Sequence, residues 1–165
     1  MFFMKIHIDW SGPFTLDSIK ALQGPSDYGV YQVYGTHPVY GSDVLLYIGL
    51  ADETKFSTRV PQHEKFTYQN CTSVRIYVGK LSGQQGVTKM RWSREIKASE
   101  ALLIYSHKPA FNSTNIEGLK LGKDVHVYNW GEYQSLLPEV SSFRVLANDK
   151  EKDFEGIALY SEDEV

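Results

Sequence analysis

Glu100 lies in the run TKMRWSREIKASEALLIYS, with Trp92, Ile96 and Ile104 at steps of four around it and Leu103 three positions ahead. In a helix these residues share one face, so the carboxyl falls within an apolar stripe. A charge there is costly unless it is paired, holds a metal ion or takes up a proton. It is therefore either an ion-pair partner at the stripe's edge or a functional acid. A second pair of chemistry-bearing residues, Arg59 and His63, stands four positions apart in FSTRVPQHEKF. Pro61 between them is tolerated only in a helix's first turn, which predicts a helix starting near Ser57 or Thr58 with both side chains on one face. An arginine near a helix N-terminus is well placed to hold a phosphate oxygen. The alternative is a solvated arginine beside an incidental histidine.

Phenols come from two β-type runs, SDYGVYQVYG and DVLLYIGL. Two-residue alternation puts Gly29, Tyr31 and Val33 on one face, Tyr28, Val30 and Tyr34 on the other, and Leu45, Tyr47 and Gly49 together in the second run. Each strand thus offers one tyrosine to a common site, or the tyrosines simply pack.

The elements that must position these groups follow from period and punctuation. KIHIDW reads as an opening strand, and TLDSIKALQG as a short helix capped by Thr15 and ended by Gly24-Pro25. The linker GTHPVYGSD predicts a hairpin with a longer loop between the two tyrosine strands. SVRIYVGKL is a third strand, separated by SGQQGV from the long helix, which stops at Lys108-Pro109. Beyond it, DVHVYNW and SSFRVLA read as strands flanking a short helix-like EYQSLL. No internal repeat is visible.

With 165 residues, 42% hydrophobic and 13% aromatic, the composition is that of one globular domain with extensions. The single cysteine, Cys71, excludes an internal disulfide framework or a multi-cysteine zinc site and reads as a strand-edge residue. The net charge of −3 is unevenly spread: from Asp149 onward seven acidic residues face two lysines, which leaves residues 1–148 at +2. A near-neutral body with local basic patches is compatible with nucleic acid. MFFMKIHIDW has neither a basic leader nor a cleavage site, and no run reaches the length of a membrane span, so a cytoplasmic protein with no membrane partner is expected.

GVY at 29–31, YIG at 47–49, Arg59 and His63 behind it, and SEALLIYSHKPAFN with Glu100 and Asn112 together resemble the GIY-YIG nuclease module. The elements agree in order and spacing from about Tyr28 to Asn112. Val30 replaces the central isoleucine of the first triplet, Pro61 falls inside the arginine segment, and His63 has counterparts only in some branches, certain restriction endonucleases among them.

The resemblance implies an α+β fold, a small three-stranded antiparallel sheet flanked by helices. Residues 1–27 would be an N-terminal extension of strand and short helix, 28–113 the nuclease core, 114–148 a C-terminal extension packed on it, and 149–165 an acidic tail. It also implies metal-dependent hydrolysis of DNA phosphodiester bonds, leaving 5′-phosphate and 3′-hydroxyl ends. Glu100 would be the sole protein ligand of one magnesium or manganese ion. Arg59 would neutralise phosphate charge, Tyr31 or His63 would serve as base, Tyr47 would hold water or phosphate, and Asn112 would anchor the site. Arg75, Lys80, Lys89, Arg91, Arg94 and Lys97 are the expected contacts to double-stranded DNA, half of them equally readable as solvated charges. A homodimer would supply the second site for cutting both strands. The competing reading is a nucleic-acid-binding or assembly subunit that keeps the fold without catalysis.

Overall fold

Strict alternation dictates how the first strand lies: Ile6, Ile8 and Trp10 are buried while Lys5, His7 and Asp9 are exposed. In the computed structural model, which describes residues 4–62, 74–83, 88–122 and 124–149, this strand, β1 (Met4–Phe14), sits inside the sheet. The others are β2 (Gly29–His37), β3 (Gly41–Ala51), β4 (Arg75–Leu81), β5 (Val125–Gly131) and β6 (Glu139–Ser141). Their order is β3-β2-β4-β1-β5-β6. All pairs are antiparallel except β1 with β5, where His7 faces Tyr128 and Asp9 faces Trp130 in parallel register.

This overturns the expected three-stranded sheet flanked by helices: the sheet is six-stranded, mixed and strongly curled, with few helices. Strands β3, β2 and β4 do pair antiparallel, but β4 continues into β1, whose other edge takes β5. Apolar alternation specifies which face a strand buries and says nothing about which distant strand it joins.

Among the described residues three α-helices accompany the sheet: α1 (Phe56–Arg59), α2 (Lys89–His107) and α3 (Ser142–Asp149). Thr88 caps α2 by accepting the Arg91 amide at 3.3 Å, and Lys108, left-handed at φ 48°, ends it before Pro109. Along α2, Ile96, Leu102 and Leu103 bury against Ile6, Ile8, Val30, Ile48 and Val127 of the sheet. Each such side chain contributes about 1.5–3 kcal/mol. Trp10 joins this core with its indole N–H donated to Asn129 Oδ1 at 2.8 Å, so neither buried polar group is orphaned. The other face packs Tyr31, Val33, Ile76 and Val78 against Phe56, Val60 and Ile19. Among the described residues no helix is long and apolar enough to cross a membrane.

Four local expectations are corrected. TLDSIKALQG forms only a 3-10 turn over Ser18–Ala21, in which Thr15 Oγ1 accepts the Ser18 amide at 3.0 Å. The β2–β3 loop is shorter than expected because the strands run on to His37 and Gly41. EYQSLL is a pair of turns, closed by Tyr133 N–H to Gly131 O at 3.0 Å and Leu136 N–H to Tyr133 O at 3.1 Å. SSFRVLA lies mostly in α3 rather than in a strand, because Ser142 Oγ accepts the Val125 amide at 2.9 Å and the helix begins there.

Candidate active site

Helix α1 differs from expectation in a way that bears on chemistry. It starts at Phe56, whose amide donates to Asp27 O at 3.0 Å and whose ring is buried, and it is over at Arg59. Pro61 comes after it, since a proline there has no N–H to continue the ladder. Arg59 is thus the last residue of a single turn. His63 and Cys71 lie outside the described residues.

The two glycines of the motif triplets have packing reasons. A Cβ on Gly49 would stand 2.5 Å from Cζ and Oη of Tyr31 and 2.6 Å from Cε1 of Tyr47, so the bare backbone makes the space those rings fill. Gly29, at φ +149°, lets β2 approach Gly79, whose carbonyl oxygen would be 2.0 Å from a Cβ. Tyr31 faces Gly49 across the β2–β3 ladder and is fully buried, and its ring lies 6.1 Å from that of half-buried Tyr47, tilted by 37°.

Glu100, on α2, shares this neighbourhood. Burial pushes its carboxyl up to about 7, with the Arg59 guanidinium pulling it down and Asp52 pushing it up. Burial likewise raises the Tyr31 phenol well above the usual range, and Tyr47 and Glu100 add to this while Arg59 opposes it. Tyr47 is raised by burial and then by Glu100, again against Arg59. Four groups from β2, β3, α1 and α2 thus feel one another's charge.

Asn112 closes β3's outer edge. The segment after α2 runs beside that strand, with Ala110 N–H to Leu45 O at 3.2 Å and Phe111 N–H to Leu46 O at 2.8 Å. Asn112 then accepts the Ile48 amide at 3.0 Å and donates to the Ile48 carbonyl at 2.9 Å, holding the backbone between Tyr47 and Gly49.

Sequence reasoning missed Asp52. Directly after β3, it accepts Ser93 Oγ at 2.7 Å and pairs with Lys97 Nζ at 3.2 Å, tying the sheet to the α2 face that carries Glu100. Burial acts to raise its carboxyl, and the Ser93 and Lys97 hydrogen bonds outweigh that and hold it below the usual range. No local pattern marks it, because its partners Ser93 and Lys97 lie more than 40 positions away.

The basic residues divide. Arg75 pairs with Asp43 and donates to Tyr77 Oη at 3.1 Å, Lys80 pairs with Asp27 at 2.6 Å, Arg91 with Glu95 at 2.8 Å and Lys97 with Asp52. Among the described residues only Lys89 and Arg94 of the six are exposed without a carboxylate partner. Arg94 and Lys97 also line a cleft of about 640 Å³ with Met4, Lys120 and Leu121, away from Tyr31.

Of the four coupled groups Glu100 is the one whose oxygens could hold a hard cation. Glu100 is a half-buried carboxyl with raised proton affinity, and the nearby side-chain oxygens are the Tyr47 phenol and the Asp52 carboxylate. Among the described residues no three His, Cys, Asp or Glu side chains gather to bind metal. No protein-family model, curated protein or solved structure matches the chain.

Proposed function

We propose that the chain is a cytoplasmic, metal-dependent endonuclease of GIY-YIG type that hydrolyses DNA phosphodiester bonds. The observation that carries this reading is the packing of motif residues at one edge of the sheet: the Tyr31 and Tyr47 rings lie 6.1 Å apart over Gly49, Asn112 bonds Ile48 between the tyrosine and glycine positions, and Arg59 and Glu100 are near enough to shift both phenols.

Glu100 is the residue that would hold one magnesium or manganese ion, and such an ion supplies positive charge to a scissile phosphate. Arg59 brings a permanent cation to the same place and offsets the negative charge that builds on the phosphoryl oxygens. Tyr47, half-buried, hydrogen-bonds the attacking water or a phosphate oxygen. The water oxygen bonds to phosphorus as the bond to the 3′ oxygen breaks; the water proton passes to a base, and the departing oxygen takes a proton to become the 3′-hydroxyl.

The base is Tyr31 or His63. Burial keeps Tyr31 neutral at physiological pH, so it acts as a base only when cationic charge lowers its phenol; Arg59 already acts in that direction. His63 is the alternative, because the ordinary pKa of an imidazole lies near neutrality.

Supercoiled plasmid incubated with magnesium, with and without chelator, tests the reading. Nicking that requires the metal and disappears in Glu100→Gln and Arg59→Ala is the expected result. Cutting that survives Glu100→Gln would refute it.

A further inference from the structure

The face of the sheet that carries Tyr31 does not end at the site. Tyr31 lies beside Val78 of β4, Val78 beside Ser11 of β1, and two-residue alternation along β1 and β5 brings Asp9, His7, Trp130 and Tyr128 onto that same face. Over β2 and β4 this face is covered by Phe56, Val60 and Ile19. Over β1 and β5 its side chains are open: Lys5, His7 and Asp9 are exposed, and Trp130 keeps 56% of its surface.

These rings are ordered. Trp130 donates its indole N–H to His7 Nδ1 at 3.1 Å, and the two planes are only 16° apart with centroids at 6.1 Å, which sets the rings edge to edge. On the other side Tyr128 stacks on His7 at 4.9 Å and 14°. His126 meets Tyr128 edge-on and reaches its hydroxyl at 3.2 Å. An exposed large aromatic ring held nearly coplanar with a neighbour is a costly surface in water, and its natural complement is another flat π-system.

We propose that the His7–Trp130 pair is a stacking platform for an unpaired base of the nucleic-acid substrate, so that the favoured substrate carries a single-stranded stretch beside the bond that is cut. The proposal rests on the nuclease reading for the strand being a substrate. Three strand spacings, about 14 Å along the sheet, separate β2 from β5, a span of a few nucleotides of extended strand passing over the Phe56–Val60 cover. Lys5, beside His126 in the ladder, supplies a cation for the backbone, and Asp9, beside Trp130, offers an acceptor to a base amino group. A duplex keeps its bases stacked inside and gains nothing from such a platform; every unpaired base has a face to offer it.

Fluorescence anisotropy in chelator, with a labelled oligothymidylate and a labelled duplex of equal length, tests the platform apart from catalysis. Trp130→Ala and His7→Ala should each weaken oligothymidylate binding about tenfold or more, Trp130→Phe should restore most of it, and duplex binding should not change. Both residues are exposed, so the variants should melt like wild type. Wild-type binding by Trp130→Ala, no binding of the oligomer by wild type, or equal losses for duplex and oligomer would overturn the proposal. A protein that nicks plasmid but ignores the oligomer loses the platform and keeps the nuclease reading. One that binds the oligomer through Trp130 and cuts nothing loses the nuclease reading and keeps the platform.

Discussion

Replacing Glu100 by glutamine keeps the shape of the side chain and removes its ionisation. Burial raises this carboxyl from 4.5 to about 7. Between those values the folded protein holds a proton that the unfolded chain releases, so wild-type stability falls as pH rises through the window. At 1.36 kcal/mol per pKa unit, integration from pH 5 to pH 8 gives about 2.5 kcal/mol, and the partial solvation of a half-buried group brings the expectation to about 1–2.5 kcal/mol. In a chain of this size that is a melting-temperature difference of roughly 2–10 °C. Thermal unfolding of both proteins in chelator should therefore give similar midpoints at pH 5, with Glu100→Gln the more stable at pH 8. Magnesium added at pH 8 should then raise the wild-type midpoint and leave the variant's unchanged, because only an ionised carboxylate gains from the cation. A stability difference that is the same at both pH values would mean that Glu100 is solvated, and the argument for a cation site there would fall with it.

Gly49→Ala puts a methyl group 2.5 Å from Tyr31, a ring with no room to move, so overpacking should cost about 1–3 kcal/mol by urea unfolding and nicking should fall with it. Full stability and activity in that variant would place the ring elsewhere. Asn112→Ala strands the Ile48 amide and carbonyl at the covered sheet edge and should cost about 2–4 kcal/mol, with faster hydrogen exchange at the Ile48 amide as its local signature.

Much of the site was readable because its determinants are local. Thr88 and Pro109 bracket α2, and the apolar steps around Glu100 gave its half-buried position. Gly29 and Gly49 could be recognised as motif positions, but their reasons, a backbone oxygen from β4 and a ring from β2, are tertiary. The start of helix α1 was misplaced by one or two residues because the Phe56 amide bonds to the Asp27 carbonyl and its ring enters the core, a tertiary pull that outweighs the helix-start preference of Pro61. Of the basic residues, only Arg91 showed its partner in sequence, as Glu95 four positions on. The acids that neutralise Arg75, Lys80 and Lys97 lie 32, 53 and 45 positions away, beyond any local pattern.

The size of the sheet was hidden for a related reason and has the larger consequence. Strand β1 shows a clean alternation but no sign of its partners, which come from β4 and from β5 more than a hundred residues away. By lying between them it joins two halves of one sheet face, one carrying Tyr31 beneath Phe56 and Val60 and the other carrying the exposed His7 and Trp130. The first strand is therefore no appendage to the motif-bearing part. It fixes the spacing between the coupled residues and the exposed rings, because a hydrogen-bonded ladder holds neighbouring strands at about 4.8 Å while a linker would let the halves drift. Under the proposed function, the ladder would therefore fix the separation between the coupled residues, which lie beside the Phe56–Val60 cover, and the exposed rings.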